Sequence, residues 1–303
     1  MSARPNFFVV GAPRCGTTKL HVDLGKHPQI FMPARKEPHF FCTDVNEAYK
    51  AHQRSLGRAP EHLLETEADY LKIFADARDE VRVGESSVYY LYSDAALEGI
   101  HAFDPTAKIL ILIREPVSFL HSLHGRLYSM VDETQPFAKA IALEDERRAG
   151  RKVPRTARSP GLLYYSDYAR FSERIRAWQE RFGEDQVRVV LLDDLRADAD
   201  GTYRSLLEFL GVEPRPAPTD TPTNANVEAR SRTLAYWLRR TWLDGRWRPR
   251  IHGRLERWNA REARRRPLDE ALRKELAARY REEVSRLSDV LERDLLTLWR
   301  YEG

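Results

Sequence analysis

Residues 7–20, FFVVGAPRCGTTKL, place Gly11, Arg14, Gly16, Thr17 and Thr18 directly after an apolar run and before a helical pattern. That grouping suits the capture of a compact anion. Glycines let successive backbone N–H groups turn inward, and a helix that starts there aims its positive end at the same point. The threonine hydroxyls add donors. A nucleoside-triphosphate loop of the form G-x-x-x-x-G-K-[ST] carries lysine where Thr17 stands here. In this chain the strong cation moves back to Arg14, with Lys19 just beyond the threonines. The loop therefore fits an anion at a nucleotide 5′ end better than magnesium-bound β- and γ-phosphates. A second group lies in KILILIREPVSFLHSLH, residues 108–124, where Arg114 closes an apolar run and Ser122 follows eight positions later. Arginine presents a planar fork to a phosphate. A third group, KEPHFF at 36–41, sets Lys36, Glu37 and His39 close together.

These residues need elements to hold them. The runs NFFVV (6–10), VRVG (81–84), KILILI (108–113) and VRVVLL (187–192) read as strands. The last two do not alternate, which predicts burial on both faces and a parallel sheet. Phe171, Ile175, Trp178 and Phe182 repeat at helical spacing and stop at Gly183, and Tyr203, Leu206, Leu207 and Leu210 do so before Gly211. A last helix from about Pro267 carries Leu276, Tyr280, Val284, Leu287 and Leu291 on one face. Strands alternating with helices predict an α/β, P-loop-like three-layer fold with a central, mostly parallel sheet and a helical C-terminal layer. A single domain over 1–303 is expected, with a core at about 6–235 and a helical extension at about 236–303. Pro116 fits a first helical turn, which puts Ser122 about two turns along. Arg114 then stands at a strand's carboxyl end, where open α/β sheets bind ligands.

Composition bounds the alternatives. The 303 residues are 42% hydrophobic and 32% charged, with a formal net charge of +4. No apolar stretch nears the roughly 20 residues of a membrane span, and a cytoplasmic location is expected. Two cysteines, Cys15 and Cys42, make no disulfide framework. His121 and His124 share a helix face but lack a third ligand in sequence, so no metal site is expected. Residues 239–266 are rich in arginine and tryptophan. They read as a solvated helical surface with tryptophan anchors, or as a polyanion-binding face.

GAPRCGTTKL resembles the 5′-phosphosulfate loop of sulfotransferases that use 3′-phosphoadenosine-5′-phosphosulfate (PAPS), and the segment around Arg114 and Ser122 is similar to that family's 3′-phosphate motif. KEPHFF resembles a segment of glycan-modifying and bacterial members in which the glutamate is the base. GESSVYYLY (84–92), the stretch 167–195 and NANVEARSRTL (224–234) extend the resemblance over about 6–235. It implies sulfuryl transfer from PAPS to a hydroxyl or amine, without metal, and leaves 3′-phosphoadenosine-5′-phosphate (PAP). By the same resemblance Arg14, Cys15, Gly16, Thr17, Thr18, Lys19, Arg114 and Ser122 would bind the donor. Glu37, Arg14 and His39 would form the catalytic set, with Glu37 or His39 as the base. Many members have lysine at Arg14 and glycan-modifying relatives often have it at Ser86, so Lys19 or Lys36 would supply the missing cation. Polar residues 132–160 are expected to form a lid or acceptor-side wall, and Tyr89, Tyr90, Tyr164 and Tyr165 would line a cleft or pack in the core. Expected partners are the nucleotide donor and its acceptor, a carbohydrate, lipid or small alcohol, with no nucleic acid. A rival reading is an ATP-dependent kinase or nucleotidase that uses Asp193 and Asp194 at a strand end for magnesium. The other is a polyanion binder built on the basic C-terminal third.

Overall fold

The computed structural model describes residues 3–60, 63–219, 227–231, 233–237, 258–262 and 267–301. Five strands, β1 (Phe7–Gly11), β2 (Ile30–Phe31), β3 (Arg82–Ser86), β4 (Lys108–Ile113) and β5 (Val187–Leu191), form one parallel sheet in the order β2-β3-β1-β4-β5. Phe7 lies opposite Gly84 of β3 and Lys108 of β4. Phe7 to Val10 and Ile109 to Ile113 are fully buried, as their unbroken apolar runs require of strands covered on both faces. The sequence reading missed β2, whose two residues carry no alternation to detect.

Helices α1 (Thr17–Leu24), α2 (Thr43–Ser55), α3 (Glu67–Leu71), α4 (Asp94–Phe103), α5 (Pro116–Ser129), α6 (Phe137–Ala142), α7 (Glu144–Arg148), α8 (Tyr165–Tyr168), α9 (Phe171–Phe182), α10 (Leu192–Ala197) and α11 (Ala199–Leu210) follow in chain order. The apolar faces expected of α9 and α11 are buried. Gly183 and Gly211 end them with φ of 87° and 68°, angles that glycine takes without a Cβ penalty. Leu192 opens α10 and does not continue the strand.

The C-terminal layer is α12 (Glu270–Leu291) and the short α13 (Leu295–Leu298). Leu276, Tyr280, Val284 and Leu287 are buried, and α12 packs on α9 and α5. Its Glu283 accepts hydrogen bonds from the Ser172 backbone N–H at 2.7 Å and hydroxyl at 2.9 Å, at the start of α9. A two-stranded antiparallel piece, β6 (Val227–Ala229) with β7 (Ala260–Glu262), stands apart from the main sheet. Apart from 258–262, the arginine- and tryptophan-rich stretch 239–266 lies outside the described residues. Trp258 is exposed and anchors no core. Among the described residues, no helix is long and apolar enough to cross a membrane.

Candidate active site

β1 and β4 are neighbours, so the loop that leaves β1 and the arginine that ends β4 emerge side by side at the sheet's carboxyl edge. A cavity of about 440 Å³ opens there, lined by Arg14, Gly16, Thr17, Thr18, Lys19, Arg114 and Ser122 among others. Two segments separated by roughly a hundred residues thus meet in one space. Gly16 has φ of 93° and caps α1, and no side chain caps that helix start by a hydrogen bond. The α1 amides therefore face the cavity end with their donors unclaimed by a cap. Glu115, which the sequence reading passed over, caps α5 by accepting from the Val117 and Ser118 amides, and it also holds the Tyr301 hydroxyl at 2.5 Å. That fixes the helix carrying Ser122 beside the strand carrying Arg114.

Seven non-glycine residues have positive φ among those described, and three of them are Arg14 (66°), Glu37 (59°) and His39 (52°). A left-handed backbone costs a side chain of this size about 1–3 kcal/mol and persists where surrounding structure enforces it. Arg14 Nε donates to Ser122 Oγ at 3.4 Å, and Arg114 Nε to Ser118 Oγ at 3.3 Å. Burial lowers the pKa of both guanidiniums. The charges of Arg126 and Arg114 add to this at Arg14, and that of Arg196 at Arg114. An anion in the cavity relieves that repulsion.

Cys15 departs from expectation. Its side chain is fully buried, Sγ donates to the Pro13 carbonyl at 3.5 Å, and burial pushes its pKa up to about 12. It does not line the cavity, so only its backbone can serve a ligand. Lys19 does line the cavity, but its Nζ is held by Asp23 at 2.5 Å.

Glu37 and His39 lie outside this lining, on a loop that runs over the end of β3. The Glu37 amide donates to the Ser86 carbonyl at 2.9 Å, and the His39 amide to Ser87 Oγ at 3.1 Å. Lys36 Nζ bonds Glu37 Oε1 at 2.7 Å, and His39 Nε2 stands 3.6 Å from Oε2. Burial works to raise the Glu37 pKa, yet His39 and Lys36 outweigh it and hold the carboxyl at about 2. Of the two lysines proposed as substitute cations, Lys36 is the one joined to the candidate base. Ser86 is buried, and its Oγ bonds His21 Nδ1 at 3.0 Å.

The segment 132–160 is anchored by buried ion pairs. Arg147 makes a two-pronged contact with Glu133, both fully buried, while Arg158 grips the buried Asp132. Tyr90 and Tyr165 are core residues whose hydroxyls donate to Glu85 and Glu133. Tyr164 lies under the Arg148 guanidinium at 4.6 Å. Tyr89 and Tyr90 both meet the Glu37 loop, with their rings 5.5 Å and 6.4 Å from that of His39. Asp193 accepts from the Trp299 indole at 3.0 Å, and Asp194 holds Arg293 through two bonds. Both carboxylates of the kinase reading are therefore engaged in the C-terminal layer. His124 Nε2 bonds the Gln135 carbonyl at 2.9 Å, and among the described residues no three of His, Cys, Asp and Glu gather as metal ligands.

The sequence reading missed Arg196, Leu192, Leu195, Tyr203 and Ala217, which complete the cavity wall. They fall in α10, α11 and the segment after, where no motif marks a surface turned toward the β1 loop.

A parallel sheet with a strand–loop–helix cradle and a strand-end arginine in one cavity is an arrangement suited to a compact anion. Residues 5–216 match the sulfotransferase family, and the chain belongs to it. Its fold is shared with a crystal structure of a sulfotransferase from Alicyclobacillus acidocaldarius, at a TM-score of 0.71 and 28% identity over 98% of this chain and 99% of that one. Carbohydrate sulfotransferase 15 of Rattus norvegicus is 23% identical over 69% of this chain and 44% of its own length. The human bifunctional heparan sulfate N-deacetylase/N-sulfotransferase 3 is 24% identical over 69% of this chain and 22% of its own length. The chain thus spans less than half the length of these curated relatives.

Proposed function

We propose that the chain transfers a sulfuryl group from PAPS to a hydroxyl or amine, with a carbohydrate hydroxyl as the first acceptor class to test. The observation that carries this reading is the single cavity shared by Arg14, Gly16–Lys19, Arg114 and Ser122. Its two ends suit a nucleotide with an anion at each esterified position. The relatives' names support the carbohydrate. The donor supplies an activated sulfuryl whose leaving group is the nucleotide 5′-phosphate. The α1 amides and the Thr17 and Thr18 hydroxyls bind that end. Arg14 answers the charge developing between sulfuryl and phosphate, and donors of this kind are worth about 3 kcal/mol each in a barrier. A guanidinium does not release its proton at neutral pH, so Arg14 acts by charge and hydrogen bonding alone. Glu37 takes the acceptor proton as the new S–O or S–N bond forms. Lys36 and His39 hold the carboxylate in place, and an incoming hydroxyl competes with Lys36 for it.

Thermal-shift titration in EDTA with PAP, ATP and ADP tests the donor. Binding at 100 times Kd adds about 2.7 kcal/mol, so PAP should raise the midpoint by several degrees and exceed both adenine nucleotides. No shift with PAP, or a larger one with ATP that requires magnesium, overturns the reading.

A further inference from the structure

The loop that carries Glu37 and His39 takes left-handed backbone angles at both residues, and three alternate amides hold it there. The Glu37 amide reaches the Ser86 carbonyl at 2.9 Å, the His39 amide the Ser87 hydroxyl at 3.1 Å, and the Phe41 amide the Tyr90 hydroxyl at 3.4 Å. A hydroxyl that accepts from an amide still has its own proton to give. Tyr90 gives it to Glu85 Oε2 at 2.8 Å, and the Tyr70 hydroxyl donates to the same oxygen at 3.0 Å. The two rings also touch the loop. Tyr70 stacks on Phe40 with centroids 4.5 Å apart and meets Phe41 edge-on at 5.3 Å, while Tyr90 meets Phe41 at 5.9 Å and His39 at 6.4 Å. Glu85, Tyr70 and Tyr90 are fully buried. Burial raises the pKa of Glu85, and the hydroxyls of Ser87, Tyr90 and Tyr70 act against that. A buried carboxyl is costly unless hydrogen bonds answer it. The bonds that answer this one come from the two rings that touch residues 39–41.

We propose that Glu85 is a positioning residue for sulfuryl transfer, whose Oε2 holds the two tyrosines that fix residues 39–41 over the end of β3. This rests on the reading of Glu37 as the base and deepens it. Glu85 is adjacent to Ser86, whose carbonyl takes the Glu37 amide, so the end of β3 supports the loop at two successive residues. An acceptor at the Oε2 position orients the Tyr90 hydroxyl so that a lone pair faces the Phe41 amide. With no acceptor there, the hydroxyl turns and the amide loses its partner. Glu37 then leaves the place from which it takes the acceptor proton, and a misplacement of about 1 Å costs about 10²-fold in rate. Glu85 does not line the donor cavity, so donor affinity is independent of it.

Steady-state kinetics, PAP calorimetry and thermal melting of the full chain test this together. Glu85→Leu removes the acceptor and should lower kcat by about 10²-fold while PAP Kd changes by less than about twofold. Glu85→Gln keeps an oxygen acceptor and should hold kcat within about threefold of wild type. The tyrosines supply a test that does not depend on Glu85→Leu folding. Tyr70→Phe and Tyr90→Phe each delete one buried hydroxyl bonded to Glu85, so their melting temperatures should fall alike, but only Tyr90 also holds a loop amide. Tyr90→Phe should therefore lower kcat by about 10-fold and Tyr70→Phe by less than about threefold. Added to Glu37→Gln, Tyr90→Phe should cost less than about threefold more, because the residue it positions is already disabled. Equal kcat in the two tyrosine variants overturns the proposal and leaves Glu85 a residue of the core alone. Glu85→Gln as slow as Glu85→Leu, or a Tyr90→Phe loss that persists in full beside Glu37→Gln, overturns it as well. Full turnover in Glu37→Gln alone removes the base reading and this inference with it.

Discussion

The two sides of the carboxyl edge treat charge in opposite ways. On the proposed donor side, Arg14, Arg114 and Arg196 line one cavity, and burial and like charge lower the pKa of Arg14 and Arg114. On the proposed acceptor side, charges are answered from within: Glu37 by Lys36 and His39, Asp132 by Arg158, Glu133 by Arg147. On the proposed reading, an anion entering the cradle relieves this repulsion. An acceptor, on the same reading, must displace Lys36 or His39 to reach the Glu37 carboxylate. Preorganisation resides on one side and exchange on the other.

The largest test of that contrast concerns stability. Arg147→Met leaves Glu133 buried and short of its two-pronged partner, although the Thr134 and Gln135 amides and the Tyr165 hydroxyl still donate to it. Breaking a buried pair from one side costs about 3–5 kcal/mol, and chemical denaturation should register that loss. Arg14→Ala, on the donor side, removes a charge that other cations repel and should not reduce stability. A fall comparable to that of Arg147→Met would erase the distinction. Next in size is a kinetic pair. Arg14→Ala should lower kcat/KM by about 10²–10³ and weaken PAP. Glu37→Gln should lower turnover by about 10², near the bottom of the range for a general base because its pKa of about 2 lies far from neutrality, and leave PAP affinity unchanged. Stopped assays with isotope-labelled donor, beside calorimetry, read both. Weaker PAP in Glu37→Gln would merge the two sides.

The donor side was more legible in the sequence than the acceptor side, and for a physical reason. Backbone anion capture needs glycine at fixed offsets, a strand before it and a helix after it, and all of these leave local marks, as Gly11, Gly16 and FFVVG do. β4 could be bounded to the residue because Lys108 and Arg114 flank five apolar positions. What brought Arg14 to Ser122 was strand order, and an apolar run does not reveal which strand lies beside it. Arg196 escaped for the same reason, since α10 reaches the cavity only through the β4–β5 pairing. Cys15 joined the donor-binding set only by resemblance, and nothing local in GAPRCGTT shows that its side chain turns into the core. On the acceptor side, Lys36, Glu37 and His39 stood out only by resemblance. The positive φ of Glu37 and His39 and the contacts of all three are properties of a loop over β3, which no local pattern encodes.

The smallest effect separates the base from its neighbours. Burial alone would raise the Glu37 pKa, and the His39 and Lys36 contacts reverse it to about 2. A carboxyl whose folded pKa is depressed below its unfolded value of about 4.3 adds stability above that value. The contribution fades as pH falls through the window from about 4 to about 2. Activity that needs ionised Glu37 therefore keeps its base through the whole mildly acidic range in the wild-type chain. Lys36→Met takes away one of the two contacts while burial persists, so the carboxyl titrates nearer to its ordinary value. The acid limb of kcat should rise by one pH unit or more relative to wild type, with little change at pH 8, where Glu37 stays ionised in both. A pH profile of Lys36→Met that overlays the wild type would mean that Lys36 does not govern the base, and that the acceptor side is less tightly coupled than its contacts indicate.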